Sequence, residues 1–141
     1  MLFCRPFSFC FCVKMNNKIF TYFEIAAKLS HARDDERTFL IGAVAIRGDG
    51  TMISSINMPS KIPNRIAHAE YRLHKKLDYG AVVYVARMKL QDMNFGMARP
   101  CINCQKVLIS RKVSKVYYTI SPFEWGMWNP KTGVDTYYSK R

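Results

Sequence analysis

Two short motifs must meet in space if this chain is to use either of them. The first is His68-Ala69-Glu70 and the second is Pro100-Cys101-Ile102-Asn103-Cys104. Together they offer one imidazole and two thiols to a divalent metal, and one carboxylate better suited to moving protons. Three protein ligands leave a fourth metal position open, which separates a catalytic zinc site from a structural one. Cys101 follows His68 by 33 residues, too far for one local turn. The fold must therefore bring two separate element starts together at one point.

The residues between and around the motifs say how. Ile19 to about Arg33 carries Phe20, Phe23, Ala27 and Ser30 near one face, with Ala26 and Leu29 beside them, and reads as an amphipathic helix. Ile41 to Arg47 is a compact apolar run and reads as a buried strand. Gly48-Asp49-Gly50 turns the chain, and Thr51 to Ile56 returns as a second strand. Asn57 to Ile66, with Pro59 and Pro63, is expected to be loop.

His68 to Leu77 is expected as a helix with Leu73 and Leu77 facing the core. Ala81 to Ala86 is a third buried strand, and Lys89 to Arg99 a long loop. Pro100 suits the first position of a helix from Cys101 to about Arg111, because its missing N–H costs nothing there. Val113 to Ile120 gives a fourth strand. The tail from Ser121 is expected to be a closing loop, with a last short helix near Asp135 to Ser139. The order α-β-β-α-β-α-β predicts an α/β fold with a mixed central sheet, an opening hairpin followed by βαβ crossovers.

Cys101 and Cys104, at i and i+3 of a helix, can reach one ion, and His68 completes three ligands from another helix start. The two helix N-termini are expected to lower the thiol pKa. Glu70 lies two residues from His68, about 200° around a helix, so the two share a target only at the helix end. There the carboxylate approaches the water rather than the metal and can pass its proton on. Taken alone, His-x-Glu is uninformative, and Cys-x-x-Cys fits a redox pair or half a structural zinc site. The chain has no second Cys-x-x-Cys or His-x-x-x-His to close such a site. His31 and His74 read as surface or packing residues.

Five cysteines, an odd number, do not make a disulfide framework and point to a reducing, cytoplasmic setting. No apolar run approaches the roughly 20 residues of a membrane span. Residues 1–14 interleave Phe3, Phe7, Phe9 and Phe11 with Cys4, Cys10 and Cys12, lack the pattern of a signal peptide, and are expected to lie outside the fold. A small cysteine cluster for a second metal is the rival reading. Met15-Asn16-Asn17-Lys18 reads as a more natural start, leaving 15–141 as a single domain. Residues 61–115 hold twelve Lys or Arg against three acids, a surplus of nine positive charges that attracts phosphates.

The two motifs in this order resemble the cytidine/deoxycytidylate deaminase superfamily of zinc enzymes over roughly Ile41 to Ile120. The resemblance implies a three-layer α-β-α fold, one zinc per chain held by His68, Cys101 and Cys104, and Glu70 as proton shuttle. It implies hydrolytic loss of an amine at C4 of cytosine or C6 of adenine. Asn57 stands where the family holds the sugar or base, and the backbone N–H groups of Ala69 and Cys101 would bond the base. Relatives form homo-oligomers.

The strand after the second motif resembles the branch with a parallel crossover, which the free-cytidine enzymes fit less well. The chain lacks the Gly-Tyr-Asn-Gly segment of many deoxycytidylate deaminases. It also has Ala98-Arg99-Pro100-Cys101 in place of the Trp-Ser-Pro-Cys of polynucleotide editors. The His-Ala-Glu-Tyr-Arg-Leu run with Tyr117-Tyr118-Thr119, Trp125 and Trp128 looks like small bacteriophage-encoded deaminases. That resemblance implies a cytosine nucleotide, deoxycytidylate, as substrate in the cytoplasm of a host. The basic stretch leaves open editing of single-stranded DNA or tRNA, with Tyr118, Trp125 and Trp128 stacking on bases. Of these, Trp125 is the substrate-binding candidate, against core packing or a subunit interface as the plain alternative. A reading of another class is a non-catalytic, zinc-stabilised nucleic-acid-binding module.

Overall fold

The computed structural model describes residues 7–31, 40–57, 68–90 and 92–139, with side chains from Lys18 onward in the first stretch. Among the described residues, seven strands form one mixed sheet. They are β1 (Leu40–Ile46), β2 (Met52–Ile56), β3 (Val82–Met88), β4 (Phe95–Gly96), β5 (Lys115–Ser121), β6 (Glu124–Trp128) and β7 (Asp135–Ser139). The helices are α1 (Phe7–His31), α2 (Ala69–Leu73), continued by a 3-10 turn over His74–Lys76, and α3 (Ile102–Ser110). The strand order is β2-β1-β3-β5-β6-β7, with β4 pairing beside β3.

The central strands are apolar on both faces because both faces are covered. Their alternation assigns each side chain to a layer. Ala43, Ala45, Val83, Val85, Val116, Tyr118 and Trp128 pack with Leu73, Leu77 and Leu108 of the α2 and α3 layer. Val44, Tyr84, Ala86 and Trp125 face the other way, against Phe23, Ala26 and Ala27 of α1. The expected three layers are present. Gly42, on the α1 side, lets that helix approach closely: a Cβ there would lie 2.0 Å from the carbonyl oxygen of Ala26.

Strand direction explains where the motifs go. β2 and β3 are each antiparallel to β1, so they run the same way, and α2 carries the chain between them. β3 and β5 pair in parallel, which requires a crossover, and α3 supplies it. Both crossover helices pack on the same face. Each leaves the sheet from the same end, so their N-termini arrive side by side.

Several expectations are corrected. Leu29 is 42% exposed and does not join the buried face of α1. The α2 helix is one short α-turn and a 3-10 turn, not a continuous helix to Leu77. The segment from Ser121 forms the β6–β7 hairpin, and Asp135–Ser139 is a strand, not a helix. The physical reason is that β6 has a free edge and Thr136, Tyr137 and Tyr138 suit a strand there. The backbone of α1 is helical from Phe7, ahead of the expected start at Ile19. Residues 1–6 and the side chains of 7–17 lie outside the described residues, as does the suggested cluster of Cys4, Cys10 and Cys12.

Candidate active site

His68 is the N-cap of α2 and Cys101 the N-cap of α3, both with extended backbone (ψ 143° and 166°). Neither side chain caps its own helix, so both are free to point across the gap between the helix starts. His68 Nδ1 lies 3.6 Å from Cys101 Sγ and 3.4 Å from Cys104 Sγ. The three donor atoms all fall within 4.8 Å of one another. Tetrahedral zinc with sulfur at about 2.3 Å and nitrogen at about 2.0–2.1 Å needs an N···S separation of about 3.6 Å. The donor set and its spacing fit zinc, with Nδ1 as the ligating nitrogen.

Glu70 is 5% exposed. Burial lifts its carboxyl to about 7, partly offset by a backbone N–H bond. Burial also pushes the Cys104 thiol up, and the charges of Glu70 and Cys101 push it further. At Cys104 this desolvation opposes the acidifying pull expected of the helix end. Metal binding at this site would displace the Cys104 proton. Glu70 follows His68 by two residues in the first turn of α2 and is not one of the three clustered donors.

The supports of the site were not legible in the motifs. Ser55 Oγ donates to the carbonyl of Ala69. Arg72 Nη1 donates to the carbonyl of Ile56 at 2.7 Å, which binds α2 to the end of β2. Gln105 Nε2 donates to the carbonyl of Pro100 at 2.8 Å and ties the second motif to its own helix. Asn57 is buried at the end of β2, its Oδ1 accepting the N–H of Ile41 at 3.0 Å. That bond holds it at the sheet end from which α2 leaves. Ala69 is fully buried and Cys101 is exposed, as a residue at the mouth must be.

Trp125 is not at the site. It is 1% exposed in the α1 layer, edge-on to Phe20 (ring centroids 5.0 Å apart) and stacked on Tyr138 at 5.6 Å. The sheet itself separates it from the zinc ligands. Tyr118 and Trp128 are on the ligand side but are 0% and 2% exposed, held in the core. None of the three can stack on a substrate base.

Residues 16–120 match the family described as the cytidine and deoxycytidylate deaminase zinc-binding region. The chain belongs to this family. As a deaminase of this kind it is a zinc-dependent hydrolase that removes an amino group, with His68, Cys101 and Cys104 as the zinc site. Among solved structures, the deaminase is similar to the cytidine deaminase from Burkholderia pseudomallei. The identity is 17%, the TM-score 0.49, and the match covers 84% of this chain and 90% of that one. No curated protein sequence matches significantly. Among the described residues no helix is long and apolar enough to cross a membrane.

Two outcomes follow for this deaminase. Cys104→Ala removes the buried sulfur and leaves two donors. Zinc content by plasma emission spectrometry should fall from about one per chain to near zero after dialysis against a mild chelator. Retention of stoichiometric zinc would show that the ligands are elsewhere. The second concerns Asp135, which accepts both Arg99 N–H groups and the Tyr118 hydroxyl. The Arg99 bonds, chiefly, hold its pKa below the ordinary 3.8. A depressed pKa contributes stability that is present above the unfolded value and lost as pH falls through the folded one. The difference in urea midpoint between wild type and Asp135→Asn should therefore narrow between about pH 6 and about pH 2. A difference independent of pH would refute the charge role.

Proposed function

We propose that the enzyme deaminates a cytosine nucleotide, deoxycytidylate, to the uracil nucleotide with release of ammonia. The supporting observation is the burial of Tyr118, Trp125 and Trp128. Without those rings the basic surplus of residues 61–115 has phosphate to attract but not the aromatic platform on which single strands are held. A small phosphorylated substrate suits that surface better than a polymer, and better than an uncharged nucleoside. The family description, which covers cytidine and deoxycytidylate, agrees with a cytosine base.

Zinc, when bound, supplies the Lewis acidity that lets water attack the ring carbon near neutral pH. Glu70 would take one proton from that water and give it to the ring nitrogen, then take the second from the hydroxyl left on the ring carbon and give it to the amine, so that ammonia leaves as the ring carbonyl forms. Its burial beside the cluster keeps bulk water from competing for the proton. Asn57 holds the sugar or base, and the N–H groups of Ala69 and Cys101 orient the base from the two helix starts. The catalytic domain spans 15–141 and works in the cytoplasm as a homo-oligomer.

The reading is tested by assaying zinc-loaded protein against deoxycytidine, deoxycytidylate, the triphosphate, single-stranded DNA and tRNA. Deoxycytidylate should show the highest kcat/KM, at least about tenfold above deoxycytidine, or roughly 1.4 kcal/mol of phosphate recognition. A polymer substrate with steep salt dependence would replace this reading with editing.

A further inference from the structure

The deamination step leaves one connected group of side chains unexplained. Arg99, directly before Pro100 and Cys101, donates Nε–H and Nη2–H to the two oxygens of Asp135, both at 2.9 Å. Tyr118 donates its hydroxyl to the same carboxylate. Asp135 opens β7, and its side chain is 12% exposed, while Thr136, Tyr137, Tyr138 and Ser139 are all exposed. The least exposed residue of this edge strand is thus an acid, and it grips the residue beside a zinc-ligand turn.

The sheet is shaped to allow this. Tyr118 on β5 pairs across the sheet with Gly126 on β6. A Cβ on Gly126 would lie 2.4 Å from Tyr118 Cζ and 2.5 Å from its hydroxyl oxygen. The ring crosses β6 where β6 has no side chain, and so reaches Asp135 on β7. Segment 98–100 is fastened at each residue. The N–H of Ala98 donates to the carbonyl of Thr119 at 2.9 Å, Arg99 is held by Asp135, and the carbonyl of Pro100 accepts from Gln105.

Cys101 needs such support more than the other sulfur does. Cys104 is buried within α3, where the helix fixes its backbone. Cys101 is exposed, at an extended N-cap, and its Sγ goes where the preceding segment puts it. We propose that Asp135 is a positioning residue for the zinc centre, fixing through Arg99 the turn that presents Cys101 to the metal. This rests on the zinc-deaminase reading of the site. A two-pronged guanidinium–carboxylate pair sets direction as well as distance, which a single charge contact does not. Groups that orient metal ligands change metal affinity or activity by about 10- to 100-fold.

The test uses the full chain and two metal probes. Zinc affinity is measured by competition with a chromogenic chelator, and cobalt(II) is substituted to read the thiolate–metal absorption bands. Asp135→Asn should weaken zinc by about tenfold and shift the cobalt bands. Arg99→Lys keeps the charge and loses the fork, so it should do the same, and the double variant should lose no more than either alone. Asp135→Glu should recover part of the affinity. Asp78→Asn is the control: that carboxylate accepts Gly48 N–H at 2.8 and 3.0 Å at the opposite end of the sheet. It should cost thermal stability without changing zinc affinity.

The proposal is overturned if Asp135→Asn loses stability alone, with wild-type zinc affinity and cobalt bands. Should that variant not fold, Arg99→Lys decides in the same way. If the wild type binds zinc yet releases no ammonia, the enzymatic reading fails, while the affinity comparison still decides the role of Asp135.

Discussion

Replacing Glu70 with Gln leaves zinc bound at one per chain and lowers kcat by about 10³-fold, within the range for loss of a positioned general acid–base group. The two side chains have nearly the same shape, so the buried pocket around this 5%-exposed residue persists. The ligand set does not include Glu70, and its three donors already fit the metal. What disappears is a group that both accepts and returns a proton. Since the loss falls on the chemical step, KM for substrate should change far less than kcat. Steady-state kinetics with metal analysis on the same sample checks both halves. Turnover within about tenfold of wild type would remove Glu70 from the proton path, and loss of zinc would make it a ligand instead.

Replacing Gly42 with Ala should have the largest effect on stability, about 3 kcal/mol or more, near the upper end for overpacking. The added carbon would sit 2.0 Å from the Ala26 carbonyl oxygen and 2.7 Å from its carbonyl carbon. Those atoms are helix backbone and cannot swing aside like the end of a side chain. Helix α1 must lift from β1, loosening Phe23, Ala26 and Ala27 against Val44, Tyr84 and Trp125. For a domain of this size the melting temperature should drop by roughly 10 °C. Ala26→Gly should not rescue it, because the obstructing atoms are not the Ala26 side chain. A melting temperature within about 2 °C of wild type would mean that α1 packs less closely than described.

The layered fold was readable because β1 and β3 are short apolar runs bounded by turns, and the motifs each open a helix. The opening hairpin followed by βαβ crossovers implies a mixed sheet, and β2 and β3 run alike because each pairs antiparallel with β1. The face that Trp125 takes has an equally physical cause. Which face a residue takes depends on strand register, and the Pro, Gly and Trp of the tail read as loop rather than as strands. Yet Pro130 and Gly133 marked a turn, and Gly133 adopts φ +75° between Asn129 and Val134, which close it by a 3.0 Å hydrogen bond. Reading that turn would have given β6 and β7, and with them opposite faces for Trp125 and Trp128. The grip of Asp135 on Arg99 spans 36 residues and three strands. No periodicity or spacing rule predicts a pair that distant, because it exists only once β5, β6 and β7 are in register. The depth at which Cys104 is buried, which raises its thiol pKa, is likewise set by the packed fold and not by motif spacing.

On the proposed reading, His68, Cys101 and Cys104 hold a zinc at which Glu70 drives hydrolytic deamination. The most direct measurement is ammonia release by zinc-loaded protein from cytosine nucleosides and nucleotides, followed alongside the loss of cytosine absorbance, with Glu70→Ala as control. Ammonia should appear in a one-to-one ratio with uracil product in the wild type and at background in the variant. Stoichiometric zinc with no ammonia from any cytosine or adenine substrate would contradict the account and make the domain a zinc-stabilised binding module.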